Sequence, residues 1–134
     1  VGAATEIELK EKRERIIDAV NATKAAIEEG IVAGGEITLY SLSHKALGIL
    51  KFVLKMPFKR LLGNAGYDYA EILQKLKDYP YGVDVMDGEI KNLIEAGIID
   101  PIKVCREALE NAVSVSVMIM TTSVIIVEDK DEKI

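Results

Sequence analysis

The sequence feature that most constrains the fold is a long helical segment that carries both a start signal and a stop signal. Thr5 followed by Glu8 has the spacing of a capping box, in which the two side chains satisfy backbone amides of the first turn. Gly30 is a residue type that favours helix termination. Residues 6–29 are therefore predicted to form one helix. Its apolar stripe consists of Leu9, Ile16, Val20 and Ile27.

The rest of the chain is predicted to contain shorter helices and little β structure. Helical segments are expected at residues 37–43, 44–56, 58–63, 69–77, 90–96 and 101–120, and short strands at residues 83–86 and 123–127. Asp100 is predicted to cap the last helix, with Pro101 in its first turn. Residues 113–117 alternate as a strand would, which leaves the later part of that helix ambiguous, and residues 128–133 form a charged tail. The expected fold class is mainly α with minor β strands.

Composition and charge exclude several classes of function. A net charge of −5 argues against a nucleic-acid-binding role, which needs clustered lysine and arginine. The apolar-rich run at residues 113–127 is too short and too polar to span a bilayer, so no membrane partner is expected. Cys105 is the only cysteine and His44 the only histidine, so neither a disulfide nor a zinc site is expected. An independent small enzyme would need a nucleophile and a base that these two residues do not supply.

Residue patterns alone assign no chemistry to the remaining candidates. Asp18 lies on the polar face of the first helix, where a solvated carboxylate is the ordinary interpretation. Gly34 and Gly35 match neither a phosphate-binding P-loop nor a dinucleotide fingerprint, which leaves a turn between helices. Asp84 and Asp100 have the positions of turn or cap residues. These patterns predict a mostly helical module with several loops able to contact a ligand.

Three segments carry a specific resemblance to a known family. They are VGAATEIE with the following KEKR and DAVNATKAAIEEGIVAGG (within residues 1–35), AGIIDPIKV (residues 96–104) and MTT (residues 120–122). In this order and spacing they resemble the group I chaperonins, the sixty-kilodalton family, over essentially the whole chain. The resemblance implies that residues 1–29 are the C-terminal helix of the intermediate domain. It implies that residues 30–134 are the C-terminal half of the ring-forming, ATP-binding equatorial domain.

The resemblance also implies a function for the protein to which this chain belongs. That protein would be an ATP-dependent molecular chaperone that refolds unfolded client proteins in a homo-oligomeric ring, together with a co-chaperonin, in the cytoplasm. Its cofactors would be ATP and Mg²⁺, and the magnesium ligand and the phosphate-binding GDGTT loop would come from an N-terminal half that precedes Val1. The chain alone is expected to lack ATPase activity and to self-associate through apolar surface that the other half would cover.

The family pattern assigns roles to six residues of this chain. Asp18 matches the aspartate that orients or activates the attacking water, and Gly35 matches the glycine whose backbone lies beside the ribose. Asp100 matches the aspartate that binds the ribose hydroxyls. The residues that match the loop flanking adenine are Asp84, Val85 and Met86.

Departures from the family pattern support an alternative. Glu36 replaces the third glycine of the family, Val85 and Met86 are bulkier than the family residues, and the segment between Leu42 and Ala46 is shorter. The alternative is a chaperonin-derived helical interaction module that no longer binds nucleotide. The side chain of Glu36 discriminates between them, because an outward position leaves the site intact and an inward position brings a negative charge towards a negative ligand.

Overall fold

The computed structural model describes residues 2–124 and residue 126, and it begins with the predicted long helix, α1 (Glu6–Glu29). The Thr5 hydroxyl accepts from the Glu8 amide at 3.2 Å, and the Glu8 carboxylate accepts from the Ala4 amide at 3.1 Å, which confirms the capping box. Gly30 ends the helix with a φ of +88°. No residue of α1 is buried, so the predicted apolar stripe faces solvent in this chain.

The other elements are short except for the last helix. They are β1 (Ile31–Ala33), α2 (Ile37–Ser43), α3 (Leu50–Val53), α4 (Met56–Asn64), α5 (Tyr69–Lys75), β2 (Tyr81–Val83), β3 (Ile90–Asn92), β4 (Ile99–Pro101) and α6 (Ile102–Thr121). Strands β1 and β4 pair antiparallel with Val32 opposite Asp100, and β2 and β3 pair antiparallel with Gly82 opposite Lys91. The predicted mainly α fold with minor β strands is confirmed.

Several predicted boundaries are wrong. Strand pairing, which joins distant parts of the chain, overrides the local helix signals at residues 90–96, and the positive φ of Gly48 interrupts the helix predicted over residues 44–56. Residues 44–49 form turns rather than the first half of a helix, and only α3 remains of the predicted segment 44–56. Residues 90–96 form a strand and a turn, not a helical turn. Strand β2 overlaps the predicted segment 83–86 only at Val83 and begins two residues earlier, and β1 was not predicted.

The start of α6 also differs from the prediction. Asp100 lies within β4, and Pro101 occupies the cap position of α6 without a side-chain hydrogen bond, so Asp100 is not the helix cap. The helix itself continues through the ambiguous residues 113–117. A strand was predicted over residues 123–127. Ser123, Val124 and Ile126 are not in a strand. Ile125, Val127 and the charged tail lie outside the described residues.

The core is small and aliphatic, with one phenylalanine at its centre. Phe58 on α4 is fully buried and has its ring centroid 5.2 Å from that of Tyr40 and 6.3 Å from that of Tyr69. The other buried members of this cluster are Ala33, Ile37, Leu62, Ile72, Val83 and Leu93. Ala33, Ile37 and Val83 lie next to the loops that carry the candidate site, so the core fixes those loops in place.

Two ion pairs connect α1 to α6 outside this core. Lys103 lies 2.6 Å from Glu28, and Arg106 lies 2.6 Å from Glu29. Both acids are in the last turn of α1, so these pairs hold the junction at Gly30 against the start of α6. Within residues 2–124 and residue 126, no helix is both long and apolar enough to cross a bilayer.

Candidate functional site

The turn between β1 and α2 has an unusual backbone conformation. The Ile37 amide donates to the Gly34 carbonyl at 3.3 Å, and the two residues between them, Gly35 and Glu36, both have a φ of +60°. Two consecutive positive φ values are the property of a type I′ turn. Glycine adopts this conformation without steric cost, whereas glutamate does so at a cost of about 1–2 kcal/mol.

This turn is held directly against β4. The Gly34 amide donates to the Ile98 carbonyl at 2.9 Å. A Cβ atom placed on Gly34 would lie 3.2 Å from the Ile98 carbonyl oxygen and 3.3 Å from Oδ2 of Asp100. A side chain at residue 34 would therefore crowd the Asp100 carboxylate, and glycine permits the close approach of turn and strand.

Asp100 and Glu36 form a pair of neighbouring carboxylates at this turn. Partial burial raises the pKa of Asp100. The pKa of Glu36 is also raised, first by burial and then by the negative charge of Asp100. Among the described residues neither carboxylate accepts a hydrogen bond, and Glu36 provides no cap to α2. Glu36 is half-buried, and its charge interacts with that of Asp100. The two carboxylates offer unused acceptor oxygens to a ligand with hydroxyl donors.

The hairpin of β2 and β3 lies on the other side of Gly35. A Cβ atom on Gly35 would be 3.8 Å from the Val83 carbonyl oxygen and 3.5 Å from Cδ1 of Leu93. Asp84, Val85 and Met86, the residues that match the family's adenine loop, follow Val83 in the hairpin turn. The backbone of this turn therefore comes close to the glycine turn, although the two are separated by almost fifty positions in the chain.

Internal contacts occupy the carboxylate of Asp84. It accepts from the Met86 amide at 3.0 Å and from Nζ of Lys91 at 2.9 Å, and these two bonds, the one from Lys91 first, lower its pKa. Met86 is 89% exposed, and Val85 is half-buried with its carbonyl accepting from the Tyr67 hydroxyl at 3.4 Å. The Asp84 side chain stabilises the hairpin turn, and most main-chain groups of residues 84–86 are also hydrogen-bonded. Among the described residues, the Val85 amide and the Met86 carbonyl are the main-chain groups of these three residues that have no hydrogen-bond partner.

Asp18 does not belong to this cluster in the structure. It is exposed on α1, and twelve residues at 1.5 Å each place it about 18 Å along the helix axis from Gly30. The structure thus brings together Gly35, Asp84 and Asp100 but leaves Asp18 on a separate surface.

Sequence reasoning missed two residues near the cluster. Lys91 binds the carboxylate of Asp84, and the Tyr79 hydroxyl accepts from the Ala33 amide at 3.2 Å. Cys105, already considered from the sequence, lies on the first turn of α6. The pKa of Cys105 is raised by burial and then by the charges of Asp100 and Glu36, so its thiol stays protonated. The sequence held one signal for this arrangement, the apolar triplet at residues 31–33. A strand there would require a partner strand from another part of the chain.

Within the described residues, no group of three or more His, Cys, Asp or Glu side chains is placed to hold a metal ion.

Comparison with known proteins identifies the fold as that of a chaperonin. A solved structure described as a group III chaperonin in the open state is 28% identical to this chain, with a TM-score of 0.72. The match covers 94% of this chain but only 30% of the solved one. Residues 1–130 match the model of the TCP-1/cpn60 chaperonin family, and the chain therefore belongs to this family. The resemblance inferred from the sequence is confirmed.

Proposed function

We propose that this chain is the C-terminal part of an ATP-dependent chaperonin subunit and contributes the nucleoside-binding side of its ATP site. Chaperonin-type function follows from the family and the fold. The observation that carries the finer proposal is the contact of the Gly34–Gly35 turn with Asp100. This contact joins two segments that the resemblance independently assigned to the ribose.

The chemistry of the cluster fits a nucleoside. Asp100 is partly buried and accepts no hydrogen bond from the described residues, so its two oxygens are available to vicinal hydroxyl donors. A desolvated charged acceptor that pairs with a hydroxyl is worth more than an exposed one. Gly35 keeps the backbone free of a side chain at the ribose, and the main chain of residues 84–86 would contact the base.

Hydrolysis requires that Asp18 be brought to the phosphates. We assign residues 1–29 to the intermediate domain and residues 30–134 to the equatorial domain, and the end of α1 at Gly30, where the φ is +88°, supports a boundary at that residue. Rotation at the Gly30 junction would carry the exposed carboxylate of Asp18 towards the site, where it would orient the attacking water. Bound Mg²⁺ would neutralise charge on the phosphates, and its ligands would come from outside this chain.

The whole protein would work as a homo-oligomeric ring that encapsulates unfolded clients with a co-chaperonin in the cytoplasm. Large apolar side chains exposed on α1 and α6, such as Ile16, Val20, Val113 and Val117, are each close to half exposed. Surface of this kind is suited to burial against other parts of a larger assembly. The chain on its own is predicted to self-associate for the same reason.

Two observations favour a second candidate, a helical interaction module that no longer binds nucleotide. Partial burial and the negative charge of Asp100 raise the pKa of Glu36, so a negative side chain lies close enough to Asp100 to interact with it. The Asp84 carboxylate is bound to Lys91, and Met86 extends into solvent, so neither side chain is poised for adenine. Nucleotide affinity of the full-length protein separates the two candidates.

Replacing Asp100 by alanine in the full-length protein is expected to lower Mg-ATP affinity by about 10- to 100-fold, since two hydrogen bonds to a charged acceptor are lost. Isothermal titration calorimetry measures this directly. Glu95→Ala is the matched control, because Glu95 is an exposed carboxylate in the turn before β4 and no role is assigned to it. Wild-type protein that gives no binding heat and no competition with a fluorescent ATP analogue would favour the interaction module instead.

Glu36→Gly is expected to stabilise the chain by about 1–2 kcal/mol at neutral pH, because glycine accepts a positive φ that glutamate resists. Glu36→Gln keeps the backbone cost and removes only the charge. The pKa of Glu36 is higher in the folded protein than in the unfolded chain, so ionisation of Glu36 lowers the free energy of unfolding. This loss is absent at pH values below the pKa of glutamate in the unfolded chain, which is about 4. It is complete at pH values above the pKa of Glu36 in the folded protein.

The gain from Glu36→Gln should therefore be absent near pH 4 and appear as the pH rises towards neutrality. Urea denaturation of the wild type and of both variants at a series of pH values gives the comparison. An equal gain at every pH would mean that ionisation of Glu36 does not oppose folding, neither through burial nor through the charge of Asp100.

A further inference from the structure

Tyr67 connects the helical body of the chain to the turn of the β2–β3 hairpin. It lies between α4 and α5 and packs against the core. Its amide donates to the Leu62 carbonyl at 2.9 Å. The next residue, Asp68, caps α5 by accepting from the Glu71 amide at 2.8 Å. The main chain on both sides of Tyr67 is therefore fixed to a helix, which gives its side chain a defined position.

The side chain of Tyr67 contacts the hairpin turn at two points. Its hydroxyl donates to the Val85 carbonyl at 3.4 Å. Its ring lies against Gly88, where an added Cβ atom would be 2.9 Å from Cε1 and 2.9 Å from the hydroxyl oxygen of Tyr67. Gly88 has a φ of +77°, so glycine permits both the turn conformation and the close approach of the ring. One side chain thus contacts the turn on both sides of its tip.

Lys91 holds the same turn from within the hairpin. Its Nζ atom lies 2.9 Å from Oδ2 of Asp84 and 2.7 Å from Oδ2 of Asp87. The Gly88 amide closes the turn by donating to the Asp84 carbonyl at 2.8 Å. These bonds define the shape of the turn but do not attach it to the helices. An open cleft of about 430 Å³ is lined by residues of both α5 and the hairpin, and Tyr67 links its two sides.

We propose that Tyr67 is a positioning residue for the base side of the nucleotide site, a role that rests on the proposed function. The Tyr67 hydroxyl occupies the Val85 carbonyl. Among the described residues, the main-chain groups of residues 84–86 left without a partner are one donor, the Val85 amide, and one acceptor, the Met86 carbonyl. Tyr67 therefore fixes where the turn lies and which of its groups a base can meet.

One free donor and one free acceptor suit adenine better than guanine. Adenine presents its 6-amino group as a donor together with ring nitrogens that accept, whereas guanine presents the O6 acceptor in place of that amino group. The Met86 carbonyl can accept from the amino group but not from O6. Without the Tyr67 hydroxyl, the Val85 carbonyl becomes a second free acceptor on a turn that is less firmly attached. The ligand would then have to order the turn as it binds, which lowers affinity.

Tyr67→Phe in the full-length protein removes the hydroxyl and keeps the ring. Mg-ATP affinity is expected to fall about two- to tenfold, the contribution of one hydrogen bond, while Mg-GTP affinity stays at its wild-type value. Isothermal titration calorimetry with each nucleotide gives the ratio of the two affinities. A merely structural role would change both affinities alike or neither. Among the described residues the tyrosine hydroxyls that form hydrogen bonds are those of Tyr67 and Tyr79, so Tyr81→Phe in the same hairpin is the matched control.

A second pair of variants displaces the ring instead of removing the hydroxyl. Gly88→Ala places a Cβ atom 2.9 Å from the Tyr67 ring and should lower the preference for ATP over GTP at least as much as Tyr67→Phe. Gly48→Ala is its control, because Gly48 also has a positive φ, +59°, but an added Cβ atom there meets none of the described residues within 4 Å. Gly48→Ala should lower the free energy of unfolding through its backbone and leave the affinity ratio unchanged.

The outcomes distinguish the positioning role from the proposed function. Wild-type protein that binds neither nucleotide would contradict both. Wild-type protein that binds Mg-ATP, together with a Tyr67→Phe variant that keeps the wild-type ratio of affinities, would overturn the positioning role alone. Equal ratios for Gly88→Ala and Gly48→Ala would overturn it as well, since only the first of these changes displaces the Tyr67 ring.

Discussion

Replacing Asp18 by alanine in the full-length protein is expected to reduce the rate of ATP hydrolysis by on the order of 100-fold or more. The physical reason is that a carboxylate holding the attacking water acts mainly in the transition state, so its loss lowers kcat. Asp18 is exposed and lies about 18 Å along the helix axis from Gly30, apart from Gly35 and Asp100, so Mg-ATP affinity should remain at the wild-type level. Single-turnover hydrolysis together with calorimetric ATP binding measures both quantities.

The chain offers a closely matched control for this experiment. Glu14 lies one turn earlier on the same polar face of α1, and it is also an exposed carboxylate. Glu14→Ala should leave both the rate and the affinity unchanged. Equal loss from both variants would indicate that the charge of the helix face matters, not a specific water-orienting group. The isolated chain should hydrolyse no ATP, and activity above background that disappears with Asp18→Ala would contradict this.

Replacing Phe58 by alanine is expected to lower the free energy of unfolding by about 3–5 kcal/mol. Phe58 is fully buried, and its ring contacts those of Tyr40 and Tyr69, so truncation leaves a cavity and removes two aromatic contacts. A domain of this size is typically stable by only about 5–15 kcal/mol. The variant should therefore be close to unfolding at room temperature, which urea denaturation followed by circular dichroism would detect.

Phe52 is the only other phenylalanine and provides the control. Its side chain is 70% exposed, so Phe52→Ala should change the free energy of unfolding by less than about 0.5 kcal/mol. Similar losses from the two variants would mean that α3 is packed against the body of the protein as closely as α4 is.

Local signals predicted those elements whose stabilising interactions are close in sequence. The capping box at Thr5 and Glu8, the stop at Gly30, and helix α2 with its bounds at residues 37–43 all depend on contacts within one or two turns. The family resemblance extended this to the mainly α fold, and the match over residues 1–130 confirmed it. Residues 44–56 were predicted poorly because helical spacing there competes with Gly48, which has a φ of +59°.

The arrangement of the candidate site was beyond the reach of local signals. Asp100 looked like a helix cap because Pro101 follows it, but pairing with Val32 places it in a strand. Asp84 looked available for a base, but Lys91, seven residues later, binds its carboxylate. The orientation of Glu36 depends on the positive φ of its turn and on the neighbouring strand. None of these three outcomes is encoded in a window of a few residues.

The sequence by itself determined that α1 carries Asp18 and ends at Gly30, that the remainder is mainly helical, and that the chain belongs to the chaperonin family. These properties follow from hydrogen bonds within a helix and from motifs whose order is written in the chain. Only the tertiary structure decided that the Gly34–Gly35 turn lies against Asp100, that the charge of Glu36 interacts with that of Asp100, and that Phe58 is buried whereas Phe52 is exposed. The reason is that pairing and burial depend on residues far apart in sequence, whose free energies no local pattern records.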